Sequence, residues 1–525
     1  MTGVLVRLTW RRLRFRAVLW GFGLFLLTFT VVGSYEALYP DPQVRAGLTE
    51  TLRGNMSFRA LIGVPGDLST PGGFTAWRVG VFLGVFAALY AGLGIVSLTR
   101  GDEEAGLLEL MWSGAIRRQT TLLVAAAGTA CGCLLLGAMV SCALLGAGAR
   151  GRGAVLEGAA VAAVGLVFVS VGALMAQVAV ARRAASALTG AVIGVCYLVR
   201  MVADTADTRA WVAWLSPLGW LERVDAYAAD RWAPLVLAVG FAAVLLAAAC
   251  RLEARRDLGA GLLRPRQGPA QSRWLRTPEM LAARLYAPSV LGWAAGLAIT
   301  AAVVAGIAAD VATFAGQDEQ TAAAFARLGG SADLARSYVG GSWQFLGILV
   351  VVVAVEGALG ARREELTGRA EPLLARPLPR PRWLGSFLGA GVGGAVFAAA
   401  VTGLVGAAVA AAVRGGDPAG MLRASANMLP AAVCFGGLAC ALVGLVPRVA
   451  TAVGLGVPVV TFAVEYLGRL ARLPETVRAA SPFHYVAAVP AQPVDWAGAA
   501  VLLGAGIVFT VVGLIAIRRR DLVPA

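Results

Sequence analysis

Twelve stretches of this chain stay apolar for close to 20 residues, the length a helix needs to cross a hydrocarbon core of about 30 Å. They fall at 17–32, 75–98, 120–149, 154–181, 185–202 and 233–250, then at 285–309, 342–360, 384–413, 427–446, 449–467 and 497–517. In lipid, an open strand would leave its backbone N–H and C=O groups without partners. A helix is therefore required even where β-branched residues are frequent, as in the fifth stretch. The expected fold class is an all-α polytopic membrane protein with twelve transmembrane helices. Composition agrees, since 14% of residues are charged and 58% hydrophobic, against roughly a quarter charged in soluble domains. A water-soluble globular enzyme is excluded.

All 45 cationic residues are arginines. Without lysine the chain has no Walker A loop, whose lysine must reach the β- and γ-phosphates, and no Schiff-base lysine. The seven cysteines lie inside apolar runs with no CxxC spacing, so neither a disulfide framework nor a metal site is expected. With the N-terminus inside, 28 arginines fall on the cytoplasmic side and 17 outside. The positive-inside rule then puts both termini in the cytoplasm, in a cell-membrane protein with no nucleic-acid role for its charge of +15. Val6, Trp10, Leu13 and Ala17 share a helical face, which predicts an interfacial amphipathic lead into the first span.

A duplication with a period near 262 residues organises the chain. After span two, Glu103 and Glu104 precede Gly106, Glu109, Arg117 and Arg118; after span eight, Glu364 and Glu365 precede Gly368, Glu371 and Arg380. Ser216-Pro217 recurs as Ser481-Pro482, Trp232 as Trp496, and the Arg255–Leu258 tetrapeptide as residues 519–522. The expected organisation is a first six-span half at 1–250, a cytoplasmic linker at 251–284 and a second half at 285–525. The halves form two tandem parallel six-helix repeats related by an axis along the membrane normal. The long outer loops at 35–74 and 310–341 have room for short amphipathic helices, with Val44, Leu48 and Leu52 suitably spaced in the first.

The acidic segments are the best functional candidates. Acids at the start, leucines at 107, 108 and 110, and arginines at the end make a short bipolar knob whose charges suit a helix dipole. Such a knob can carry a push from a cytoplasmic partner into the flanking spans. Six spans, a Glu-Glu-x-x-Gly-x-x-Glu knob after span two and Ser-Pro after span five resemble the ABC-2 type permeases, with a type V exporter-like architecture. The second knob is the closer match through Pro377 and Arg380, while Ala115 takes the place of that proline in the first. The resemblance implies that both knobs are coupling helices docking on a separate ATPase subunit, two copies per chain. ATP and Mg would be bound there, with no cofactor or catalytic residue on this chain. The fused, arginine-rich double permease is similar to actinobacterial exporters of polyketide antibiotics of the tetronasin type.

In the resembled family the substrate route lies between spans two and five of each half. That implies Phe82, Phe86 and Tyr90 with Tyr197, and Trp343 and Phe345 with Phe462 and Tyr466, as contacts for a hydrophobic small molecule. Phe82, Phe86 and Tyr90 form one helical stripe. Glu356 is expected to pair with Arg362, Glu465 to make a structural ion pair, and His484 to lack an acidic partner. Asp204, Asp207, Asp225 and Asp230 read as a solvated surface paired with arginines. Gly385, Gly389 and Gly393, echoed by Gly128 and Gly132, are expected to allow close helix packing. The alternative reading is a proton-coupled multidrug secondary transporter, and a membrane enzyme ranks below both.

Overall fold

A computed structural model of the chain describes residues 2–39, 42–53, 59–60, 62–113, 117–263, 275–315, 334–412, 416–470 and 474–521. Among these residues the regular structure is entirely helical. Two compact units emerge, Met1–Gly268 and Pro269–Ala525.

In the first unit, long helices at Thr2–Leu38, Pro71–Leu98, Arg118–Gly146, Gly151–Val178, Arg182–Asp204 and Ala233–Arg255 stand where spans one to six were expected. In the second, Pro278–Ala315, Leu334–Leu366, Arg380–Ala412, Leu429–Leu445, Ala450–Leu470 and Trp496–Arg519 stand for spans seven to twelve. Among the described residues, 11 helices are long and apolar enough to cross a membrane. At the eleventh position the helix Ala450–Leu470 is apolar over Ala450–Glu465, the part whose side chains are described. Span ten carries an extra lead, Pro418–Ala426, which together with it makes one apolar crossing, Pro418–Leu445.

Local chemistry sets the helix starts. Thr70 accepts from the Gly73 N–H at 3.1 Å and Pro71 follows at the first helical position, so span two begins there. The amphipathic lead is continuous with span one; Leu13 and Ala17 are buried, whereas Val6 and Trp10 are exposed. In the loop after span one, Pro42–Arg53 is helical and Leu52 packs near Tyr35, Leu68, Phe74 and Trp77. The side chains of Val44 and Leu48, residues 316–333 of the second loop, and linker residues 264–274 lie outside the described residues. The start of the linker folds back on its own unit, with Leu262 and Leu263 N–H groups donating to Gln177 and Val178 carbonyls at 3.2 and 3.0 Å.

Each unit has its own core. Spans two and four dominate the first, where Leu83, Ala87, Ile95, Val164 and Phe168 are buried together. Side chains this apolar gain little over lipid, so close backbone approach matters more. A Cβ on Gly172 would lie 2.7 Å from the Gly92 carbonyl. The expected Gly385/Gly389/Gly393 stripe does not serve this purpose: Gly389 and Gly393 have nothing within 4 Å of a Cβ position. Span nine turns a different face inward, with Gly391 against the Gly357 backbone of span eight. Gly128 does meet span one closely, at Thr9.

Candidate coupling site

The segment after span two forms two short helices, Arg100–Glu104 and Leu107–Trp112, separated by Gly106 at φ +71°. Glycine reaches that conformation at low cost, so the chain can turn sharply there. Leu108 is buried and Leu110 is 74% exposed, so the leucines do not share one face. Arg100 is buried beneath the knob. Its guanidinium donates to the Ala176 carbonyl at 3.1 Å, to the Ala260 carbonyl at 2.7 Å and to the Ala179 carbonyl, closing the free end of span four.

Glu103 faces inward as well. It pairs with Arg100 at 2.9 Å and takes a two-point fork from Arg256, at 2.9 and 2.8 Å, just beyond the end of span six. The Gly259 N–H adds a bond at 2.7 Å. Arg118, at the start of span three, donates to the Arg256 carbonyl at 3.0 Å and lies over Trp112. Glu104 accepts from the Arg182 N–H at 2.6 Å, and Asp102 pairs with Arg12 of span one at 2.8 Å. One buried carboxylate thus ties the knob to the ends of spans two and six, and Arg118 adds span three.

The second unit repeats the arrangement. Glu365 is buried, pairs with Arg362 at 3.0 Å and receives Arg520 at 2.8 Å. Arg380 donates to the Arg520 carbonyl at 2.5 Å, as Arg118 does to Arg256. Gly368 has φ +71°, matching Gly106. These glycines fix the register, so Glu103 corresponds to Glu365 and Asp102 to Glu364, one residue away from the pairing of acids expected from the sequence. Glu364 is bonded by Arg369 at 2.9 Å. Glu109, Arg117, Glu371 and Pro377 are exposed, and with Leu110 they form the outward surface of the two knobs.

The Ser-Pro motifs are also equivalent. Ser216 Oγ donates to the Cys196 carbonyl at 2.7 Å and accepts from the Leu218 N–H at 3.3 Å. Ser481 Oγ donates to the Thr461 carbonyl at 2.8 Å and accepts from the Phe483 N–H at 3.2 Å. Each buried serine caps the element after it while pinning span five or eleven. One turn further along those spans stand Arg200 and Glu465, opposite in sign and each paired: Arg200 with Glu222 at 2.7 Å, Glu465 with Arg478 at 2.8 Å.

The candidate substrate residues are placed unevenly. Phe86 and Tyr90 lie against Trp20 of span one, at 6.4 and 6.3 Å between ring centres, with Phe82 half-buried on the same helix. Tyr197 packs beneath Arg200. In the second unit, Trp343 and Phe462 line a pocket enclosing about 540 Å³, part of it open to solvent, together with Met428, Phe483, Asn427 and Glu465. Phe345 meets the Phe462 ring at 5.2 Å. The Tyr466 side chain lies outside the described residues.

Several charged groups depart from expectation. Glu356 receives Trp293 and Ser289 of span seven at 3.2 and 3.3 Å, while Arg362 pairs with Glu365. His484 does have an acidic neighbour, since its Nδ1 is 3.4 Å from Glu465. Asp204 is buried beside Arg200 rather than solvated, while Asp207 and Asp230 do pair with Arg59 and Arg152. Buried Arg200 and Glu157 give no signal in the sequence, because each sits among apolar residues within a span. The seven cysteines are free, and no group of three or more metal-ligating residues occurs among the described residues.

Long apolar helices in two units, with charge gathered into networks at the helix ends, define a multi-pass helical membrane protein. The sequence profile of the family described as "Multidrug efflux system permease Rv1217c, C-terminal domain" matches residues 5–251 and 275–518. The multidrug efflux system permease protein Rv1217c of Mycobacterium tuberculosis (strain ATCC 25618 / H37Rv) is 32% identical over 528 residues, covering 98% of this chain and 94% of the relative. The chain belongs to this family of multidrug efflux permeases.

Proposed function

We propose that the chain is the membrane-spanning permease of an ATP-binding cassette exporter. It moves hydrophobic, drug-like molecules out of the cell with energy from a separate ATPase subunit. The observation that carries this reading is the duplicated clamp. A knob tied through Glu103–Arg256 or Glu365–Arg520 to the ends of several spans suits the transfer of a rigid-body push. Its outward residues, Glu109, Leu110 and Arg117 in one copy and Glu371 and Pro377 in the other, would meet the partner. Two knobs suit two ATPase copies, which would hold ATP and Mg; this chain needs no cofactor.

In this reading all twelve helices cross the membrane as two tandem six-helix repeats, with both termini cytoplasmic. The arginine count supports that orientation. The cavity at Trp343 and Phe462 suits an apolar ligand, and Phe82, Phe86, Tyr90, Tyr197, Phe345 and Tyr466 remain candidates for the route. Polyketide antibiotics of the tetronasin type are the narrower substrate class suggested by the resemblance. A proton-coupled carrier is the second reading, favoured by Glu157, a carboxylate buried within span four. Copurification with the ATPase tests the first reading: wild type should retain it, and Glu109→Arg with Glu371→Arg should not.

A further inference from the structure

A pocket enclosing about 450 Å³, part of it open to solvent, lies at the end of the first unit remote from its knob. It is bounded by the segment after the first outer helix, the first turns of span two, span four and the short helix Pro217–Val224. Among the described residues lining it, every charged one is a carboxylate: Asp67, Glu157, Glu222 and Asp225. Three of these are already engaged. Glu222 accepts from Arg200 at 2.7 Å, Asp67 accepts from the Ser69 N–H and hydroxyl at 3.0 and 2.6 Å, and Asp225 accepts from the Ala229 N–H close to Arg231.

Glu157 is different. It is 3% exposed, and its Oε1 has no hydrogen-bond partner. It lies over Gly80, where a Cβ would stand only 2.8 Å from that oxygen, so the glycine leaves room for the carboxylate. One turn earlier on span four, Gly153 packs on Tyr227, whose hydroxyl is likewise buried without a partner. A carboxylate taken out of water without a counter-charge is costly, and the cost is recovered when a cation enters. The other walls are Trp77, Val81 and Leu221. An indole face and aliphatic side chains accept an apolar body and, in the case of tryptophan, a cation as well.

We propose that this cavity binds a lipophilic organic cation, with the charge held by Glu157 and the apolar body against Trp77 and Leu221. The inference rests on the permease reading only in making such cations substrates; the binding site itself stands on the cavity.

The test uses the full-length purified chain and two probes of the same shape and opposite charge, tetraphenylphosphonium and tetraphenylborate. Wild type should bind the phosphonium saturably and at least tenfold more tightly than the borate. The near-isosteric Glu157→Gln should weaken phosphonium binding at least tenfold and leave the borate unchanged. Asp67→Asn, which keeps the oxygen that caps Ser69, should lose a few-fold. Equal affinity of wild type for both ions, or unaltered phosphonium binding by Glu157→Gln, overturns the site. Should Glu157→Gln fail to fold, the wild-type discrimination and Asp67→Asn decide. Phosphonium efflux from vesicles that also carry the ATPase is scored separately. Binding without efflux overturns the permease reading, and efflux without Glu157-dependent binding overturns the site.

Discussion

Glu103 and Arg256 stand 153 residues apart in the chain and meet in a two-point fork of 2.9 and 2.8 Å, both side chains under a tenth exposed. Glu365 and Arg520 repeat the contact at 2.8 Å across 155 residues. A buried pair is a poor net stabiliser compared with an apolar replacement, but removal of one partner strands the other charge. Its value here is positional: it joins each knob to the arginine just beyond span six or span twelve.

Removal of either arginine should therefore be costly. Arg256→Ala and Arg520→Ala should each destabilise the protein by about 3–5 kcal/mol, the range for a broken buried pair. Thermal unfolding in detergent checks this. Arg256→Lys should recover only part of the loss, because an ammonium cannot make the planar two-point contact.

Exposed acids should behave in the opposite way. Glu109→Arg and Glu371→Arg touch no described partner, so stability should change by no more than about 0.5 kcal/mol. ATPase retention and efflux should fall sharply. Charge reversal at Glu365 would not isolate docking, because that carboxylate is internal to the clamp.

The two Ser-Pro motifs predict matched effects. Ser216→Ala and Ser481→Ala each remove a cap and a bond to a span carbonyl. Each should cost about 1–2 kcal/mol, with no change in ATPase binding. Unequal losses well outside that range would argue against the equivalence of the motifs.

The cavity of the second unit makes a substrate prediction. Phe462→Ala removes the ring between Phe345 and Phe483, which it meets at 5.2 and 5.3 Å. Efflux of uncharged hydrophobic compounds should fall several-fold while the protein stays folded, as read by dye-efflux rates in cells expressing equal amounts.

Much of the helical layout could be read from apolar run lengths, because lipid leaves the backbone few alternatives. The repeat was legible through short motifs whose local roles recur, such as the serine caps. What the motifs could not show is contact at long separation. Arg256 read as one basic residue in a linker, yet it completes the Glu103 fork. Neighbouring acids are indistinguishable as letters, so the sequence aligns Glu103 and Glu104 with Glu364 and Glu365, whereas counting from Gly106 and Gly368 pairs Glu103 with Glu365. Glu157 and Arg200 were hidden in apolar surroundings, where their burial depends on helices far away in sequence. Glycine stripes misled because spacing alone does not say which face of span nine turns inward.

We propose that ATP hydrolysis on a separate subunit drives this permease. Vesicles reconstituted with the chain, with and without that ATPase, can be loaded with a hydrophobic dye and treated with a protonophore. Transport should occur only with the ATPase and ATP, at a rate the protonophore leaves unchanged. Transport by the chain alone along a proton gradient, abolished by the protonophore, would contradict it.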